Sequence, residues 1–333
     1  GVVSNAGIAE AVDEDLRAVV LEADRIGSGQ TKNTTAKITS QHGLVYDRLL
    51  RSFGHEMATH YAQANETAIA EYERLIREKE IDCDFVRCPA YLYSRTETKK
   101  LMEEVAAAKK LGIRASLETD SELPFSIAGA AKFECQARFH PLKFLEGLAE
   151  EAEVYERTKV LTVTGTRIET ERGCVTAENI VFTCHFPFIN VPGYYFARMH
   201  QERSYVAALE GAKPLKGMYL GIDKDGLSFR PQGELLLLGG GSHRTGVNQR
   251  TMKKGCRYEI LRRRAKELYP GCSETAHWSA QDCMTLDQIP YIGRFSRKNP
   301  GWYVATGFGK WGMTTAMVSA RILTAMICRE ECP

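Results

Sequence analysis

The stretch from Ala18 to Gly43 constrains this chain more than any other. It opens as an apolar run, Ala18-Val19-Val20-Leu21, and stops on an acid, Glu22. A loop of Gly, Ser, Thr, Asn and Lys follows, with almost nothing apolar to bury. A short β-rich run bounded by small polar residues reads as a buried parallel strand. An acid at the end of such a strand is where a dinucleotide-binding fold hydrogen-bonds a ribose hydroxyl. The loop behind it offers backbone and hydroxyl donors and a cation, Lys37, which suits a phosphate chain or an electron-rich ring. A polar surface loop after an ordinary core strand is the other reading of the same residues.

The chain has 333 residues, enough for two domains or one large α/β unit. A net charge of +2 gives no support to a polyanion-binding role. The densest basic run, Arg257 to Lys266, places Tyr258, Leu261, Ala265 and Leu268 on one helical face, so its arginines read as a solvated face. No nucleic-acid partner is expected. The ten cysteines include no Cys-x-x-Cys pair and match no zinc or iron–sulfur spacing, so no metal site is expected. Scattered thiols in a chain of this length fit a reducing cytoplasm. No signal peptide is evident, and no apolar run approaches the length of a membrane span.

Gly1 to Glu10 looks like a strand–turn–helix with a broken glycine motif. A pyrophosphate site there wants Gly-x-Gly-x-x-Gly, and only Gly7 stands where a glycine is needed. The span from Gly7 to Glu22 is also short against the usual spacing of about 20 residues, which points to residues missing from the chain as given. Helical spacing covers Leu44 to Lys79. Asp82 to Ser94 switches to β. Thr96 reads as the N-cap of a helix from Glu97 to Leu111, stopped by Gly112. Phe133 to Phe139 is β again, and Pro141 occupies a helix's first position. From Val160 to Thr183 the period is near two, giving a β-meander and then a buried strand at Ile180-Val181-Phe182. Long antiparallel strands are expected over Tyr194–Leu209 and Gly217–Gly241, the last ended by Gly239-Gly240-Gly241. Tyr258 to Leu268 reads as a helix and Trp278 to Met284 as a strand. Finally Trp302 to Ala305 runs into the Gly-rich turn Thr306–Gly312, and Thr314 opens a helix through Ile327. That helix N-terminus favours an electron-rich partner.

These pieces predict an α/β fold: a Rossmann-like cofactor domain of discontinuous segments, with an inserted, mainly antiparallel β substrate domain. The expected boundaries are 1–82, 142–192 and 286–333 for the first, and 83–141 and 193–285 for the second. Ligand is expected between them.

Several motifs resemble the D-amino-acid oxidase superfamily of FAD-dependent oxidoreductases, in its glycine and sarcosine oxidase branch. They are Val20–Gly29, Thr34–Gly43, Arg203-Ser204-Tyr205, Phe229-Arg230-Pro231 and Ala305–Thr314. The chain is most similar to members whose oxidase module is followed by a Rieske iron–sulfur domain, whose ligands are absent here. The resemblance implies an FAD cofactor with Glu22 on the adenosine ribose. Gly27, Ser28, Gly29 and Thr31 then line the phosphate and ribityl path, and Thr35, Ala36 and Lys37 approach the flavin ring. Val160 meets the adenine through its backbone. Gly307, Gly309, Lys310, Trp311, Gly312, Met313 and Thr314 face the pyrimidine edge, where N–H donors stabilise negative charge on reduced flavin.

The implied reaction takes a hydride from the C–H beside an amine, so the protein must hold that carbon and keep the amine neutral. Arg230 is the expected anchor for a substrate carboxylate, with Arg203 as the alternative, because a guanidinium fits a carboxylate bidentately. His42 and His243 are candidates for keeping the amine neutral, and each also reads as a structural histidine. Lys37 and Lys310 flank the ring and could activate oxygen, or form salt bridges. The expected partners are a small amine or amino acid and an electron acceptor, either oxygen or a redox protein such as a Rieske domain. Oxidation of a hydroxy acid or polyol phosphate is the alternative within flavin chemistry. A binding module that has lost its cofactor is the alternative outside it.

Overall fold

The computed structural model describes residues 17–246 and 256–328. The elements run in chain order as β1 (Val19–Leu21), β2 (Lys37–Ile38), α1 (Tyr46–Glu78), β3 (Val86–Ser94), α2 (Lys99–Lys110) and β4 (Ala115–Glu118). Next come β5 (Gly129–Arg138), α3 (Pro141–Ala149), β6 (Glu153–Tyr155), β7 (Val160–Thr164), β8 (Arg167–Thr170), β9 (Gly173–Thr176) and β10 (Ile180–Phe182). The second half holds β11 (Met199–Glu210), β12 (Met218–Gly221), β13 (Ser228–Gln232), β14 (Leu235–Arg244) and α4 (Cys256–Leu268). It closes with β15 (Ser273–Thr285), β16 (Tyr291–Ser296), β17 (Asn299–Thr306) and α5 (Gly312–Cys328).

One nine-stranded sheet dominates this mixed α/β fold, in the order β15-β11-β14-β13-β12-β3-β5-β2 with β4 also on β5. Its strands come from 86–138 and 199–285, plus the two residues of β2. Smaller sheets pair β1 with β6 in parallel and β10 with β17 in parallel, and β7-β8-β9 forms the meander. Phe229, Leu236 and Leu238 on one face of the large sheet pack against Leu261 and Ala265 of α4. A second core joins α1, α3 and α5 through Tyr72, Phe144, Met317 and Leu323.

Local chemistry explains most boundaries. His140 caps α3 by accepting from Lys143 N at 3.3 Å, ahead of Pro141. Gly112 ends α2 at φ +82°. Several expectations need correction. Segment 44–79 is two helices that meet at Gly54, whose φ of 80° no helix tolerates. Thr96 does not cap α2. The helix starts at Lys99, and Ser94 Oγ accepts from Thr96 N and Glu97 N instead. The glycines 239–241 do not end β14, which continues to Arg244 because β11 pairs along it as far as Glu202↔Arg244. Pro89 lies inside β3, accommodated where the register shifts between Cys88 and Ala90.

The N-terminus of α1 is capped from a distance. Glu104 of α2 is fully buried and accepts from Val45 N, Tyr46 N and Asp47 N at 2.9–3.1 Å. Burial pushes its carboxyl up to about 7, against the pull of those three donors.

Candidate functional site

The loop that reads either as a cofactor loop or as polar surface is buried over most of residues 36–42. Ala36, Ile38, Thr39, Ser40 and Gln41 are each at most 2 % exposed, and His42 is 7 % exposed. Ala36 adopts φ +48°, a costly conformation for an alanine, which turns the chain into β2. Three hydrogen bonds fasten residues 30–37 to β13 and β15. Gln30 Oε1 accepts from Gln281 N at 2.9 Å, Asn33 O from Trp278 Nε1 at 2.8 Å, and Lys37 Nζ donates to Ser228 Oγ at 2.6 Å. The sheet face carrying Trp278 and Ser228 is therefore the wall of the site.

Strand alternation and register identify the rest of that wall. Ser228 and Arg230 stand on it from β13, and Arg230 faces Leu237, which faces Ala208. On β11 and β15 the facing pairs Val206↔Trp278 and Glu202↔Asp282 share the same side. Arg203 and His243 form the next pair along and point to the other face, where His243 stacks on Tyr205 beside Tyr258 of α4.

The second loop, 307–312, meets the wall at β15. Gly309 N donates to Cys283 O at 2.9 Å. Gly307 has φ +73°, and a Cβ there would stand 2.3 Å from Thr285 Cγ2, so only glycine allows this approach. Lys310 Nζ donates to Ser242 Oγ at 2.9 Å and lies 3.3 Å from Glu202. Trp311 stacks on His42 with centroids 4.9 Å apart. Met313 O accepts from the Tyr72 hydroxyl at 2.9 Å, and Thr314 is 1 % exposed.

His42 joins the two loops. Its Nδ1 lies 2.6 Å from the Tyr61 hydroxyl, and its Nε2 lies 2.8 Å from Thr39 O and 2.9 Å from Thr314 Oγ1. Thr39 O only accepts, so Nε2 carries the proton and Nδ1 accepts from Tyr61. Burial pushes the imidazole down to about 3, which keeps it neutral. Both nitrogens are engaged, so His42 braces Trp311 and the start of α5. A cleft of about 370 Å³ opens beside it, lined by Arg48, Leu220, Ile222 and Gln288 among others.

Lys37 and Arg230 lie close together at the other end of the wall. Lys37 Nζ also donates to Tyr219 O at 3.2 Å. Burial, and then the Arg230 guanidinium, push it down to about 7. Arg230 is 2 % exposed and donates to Phe139 O at 2.6 Å and to Gln232. Its Nε has no hydrogen-bond partner among the described residues, and burial pushes it down to about 9.

The remaining expected residues fall into two places. Glu22 stands at the end of β1, where its Oε1 accepts from Asp24 N at 3.0 Å, and its backbone O accepts from Thr158 N at 2.8 Å. That bond brings the β7 segment starting at Val160 beside β1. Gly27, at φ +73°, packs against Leu142, and Ser28 N donates to Arg25 O at 3.0 Å. Gly29 precedes a 3-10 turn, Gln30–Asn33, that carries Thr31; Thr35 follows it. Gly7 lies outside the described residues.

The loops fit an electron-rich cofactor. A Cβ at Gly29 or at Gly312 would meet no described atom within 4 Å, which leaves open space at the N-terminus of the 17-residue α5. Gln41 Nε2 is a buried donor with no partner among the described residues. Sequence reading missed Asp282, Glu202, Gln41 and Tyr61. Asp282 is the one charged residue in Trp278–Met284, and that was its visible signal. Among the described residues no cluster of three or more metal-ligating side chains occurs, and no helix is long and apolar enough to cross a membrane.

A family model described as DAO, FAD dependent oxidoreductase, matches residues 6–326. A Bacillus subtilis (strain 168) protein whose name describes it as a Rieske 2Fe-2S iron-sulfur protein, YhfW, is 37% identical over 340 aligned residues, covering 97% of this chain. This chain spans 66% of that relative's length. Glycine oxidase from Geobacillus kaustophilus superposes with a TM-score of 0.82 at 20% identity, over 99% of this chain and 93% of that one. L-proline dehydrogenase from P. horikoshii gives 0.79 at 16% identity, over 100% and 93%.

Proposed function

This chain belongs to the DAO family of FAD-dependent oxidoreductases, and from that premise we propose that it oxidises an amine or amino acid at the carbon bearing the nitrogen. When bound, FAD supplies the acceptor for a hydride, at its N5. The observation that carries this reading is the meeting of the 35–42 and 307–314 loops against one sheet wall, with open space at Gly312 and an orphaned donor at Gln41. Glu22, Gly27, Ser28, Gly29 and Val160 hold the adenosine and phosphate end. The N-terminus of α5 faces the pyrimidine edge, where its dipole favours negative charge. Lys37, near neutrality in its pKa, and Arg230 place positive charge along the wall, available to a substrate carboxylate. The similar glycine oxidase and proline dehydrogenase folds favour a small amino-acid or amine substrate. The iron–sulfur name of the Bacillus relative favours a redox-protein acceptor over oxygen.

The test is a visible spectrum of the purified protein with added FAD, followed anaerobically with glycine, sarcosine, L-proline and simple alkylamines. Flavin bands that bleach with one of these bear the reading out. A protein that takes up no FAD, or whose bands survive every amine but bleach with glycerol 3-phosphate or a hydroxy acid, removes it.

A further inference from the structure

We infer that Asp282 is a specificity-determining residue of this site, receiving the cationic nitrogen of a basic substrate. This rests on the flavin reading above and adds the substrate's charge to it.

Asp282 occupies a position that both cofactor-facing loops bracket. Its neighbour Gln281 donates its backbone N–H to Gln30 of the first loop, and its other neighbour Cys283 accepts through its backbone O from Gly309 of the second. Both bonds lie on the free edge of β15, the last strand of the sheet. The side chain of Asp282 projects from the same face as Trp278, which touches Asn33 of the first loop. It therefore stands on the wall, between the two loops.

Its electrical surroundings are unusual for a structural acid. Glu202 is directly opposite on β11, and like charges in facing positions repel. One lysine and one histidine serve this pair, both at Glu202: Lys310 lies 3.3 Å from it and donates to Ser242 at 2.9 Å, and His200 Nε2 lies 3.7 Å from it. Among the described residues the Asp282 carboxylate makes no hydrogen bond and no ion pair within 4 Å. Asp282 is half-buried, and a carboxylate drawn this far out of water ordinarily finds donors in the protein. The burial of this one pushes it up to about 6, with Glu202 adding to the rise and Lys310 opposing it. An ammonium bound at this corner balances the second carboxylate and supplies the missing donors. A substrate carboxylate placed here would meet two acids and one lysine that is already paired. The preference is thus for an amine or a basic amino acid presented nitrogen-first to β15, with any carboxylate directed away from it.

The experiment uses the FAD-loaded protein and two probes of equal length and opposite charge, n-butylamine and butyrate, titrated against the flavin absorption bands. Wild type is expected to bind butylamine at least ten-fold more tightly than butyrate. Asp282→Asn should weaken butylamine about ten-fold and leave butyrate within two-fold, with flavin content unchanged. Asp282→Arg should invert the order. Butyrate binding more tightly than butylamine in wild type, no response to butylamine, or an Asp282→Asn affinity within two-fold of wild type each overturns the inference. If Asp282→Asn fails to fold, the wild-type probe pair decides alone. A protein showing no flavin bands removes the flavin reading and this inference together, whereas a loaded protein without the amine preference removes this inference only.

Discussion

At the β12–β13 end of the wall, Lys37 and Arg230 put two cations side by side with no carboxylate within ion-pair distance among the described residues. At the β11–β15 end, Glu202 and Asp282 put two acids side by side with one lysine between them. The two ends answer crowding differently. The cationic end spreads its donors over neutral oxygens, those of Tyr219, Ser228, Phe139 and Gln232. The acidic end pairs one carboxylate and leaves the other without a donor. Arg230 still keeps its Nε without a partner among the described residues, so each end offers a substrate one kind of charge: cations for a carboxylate at the first, an acid for an ammonium at the second. The contrast separates the two charges of a substrate along a single sheet face.

The largest effect is expected from closing the seam that holds the second loop against the acidic end. Gly307→Val places a branched side chain into Thr285 and Met199 at a backbone conformation suited to glycine. Loss of most flavin uptake, and several degrees of melting temperature, should follow. Normal flavin content in that variant would show that the loop can move and that the acidic end does not depend on it.

The next effect reads the cationic end. Lys37 has a folded pKa near 7, below its ordinary value of 10.5, so the folded protein holds fewer protons than the unfolded one between those values. The burden of burying Lys37 is fully present below pH 7 and fades as pH rises toward 10. Lys37→Met should therefore stabilise the protein by about 2 kcal/mol or more at pH 6, and by progressively less at higher pH. Denaturant melts across pH 6–9 measure it, and an unchanged pH slope would place Lys37's charge in solvent.

The acidic end predicts the opposite slope. Asp282 has a folded pKa near 6, raised from 3.8, so its contribution is intact below about pH 4 and is lost as pH rises through 6. Asp282→Asn should stabilise by about 1–2 kcal/mol at pH 8 and by nothing at pH 4. Equal effects at both values would break the contrast between the two ends.

The smallest effect couples two residues within the cationic end. Arg230→Gln removes a like charge from Lys37, whose titration should move up by a fraction of a pH unit to one unit. The shift is readable in the pH dependence of flavin absorbance in the loaded protein. The same variant tests the carboxylate role. Turnover of a carboxylate-bearing substrate should fall about ten-fold or more relative to a simple amine, and equal turnover of both denies Arg230 the anchor.

Periodicity made the repetitive elements legible. The strand at Val19–Leu21, the meander from Val160, the Pro141 helix and the helix after Gly312 were each visible in the residues, because apolar spacing and terminal residues act within a few positions. Glycine runs were less informative. Gly239–Gly241 read as a stop, yet pairing with β11 carried the strand through them, since a neighbouring strand supplies the hydrogen bonds whatever the side chain. The polar composition of Thr34–Gly43 left a cofactor loop and a surface loop equally open, and packing against β5 and α5, which buries most of residues 36–42, removed the second.

By itself, the sequence determined the alternation of α and β elements, the two glycine-rich turns, and the motifs that mark the family. Those are properties of neighbours along the chain. Tertiary structure alone decided which charges meet. Glu202 and Asp282 are 80 residues apart and become opposite partners only through the β11–β15 register. Lys37 reaches Ser228 across 191 positions, and His42 reaches Thr314 across 272. Side-chain electrostatics at a site depend on distances of a few ångströms in space, which separation along the chain does not encode.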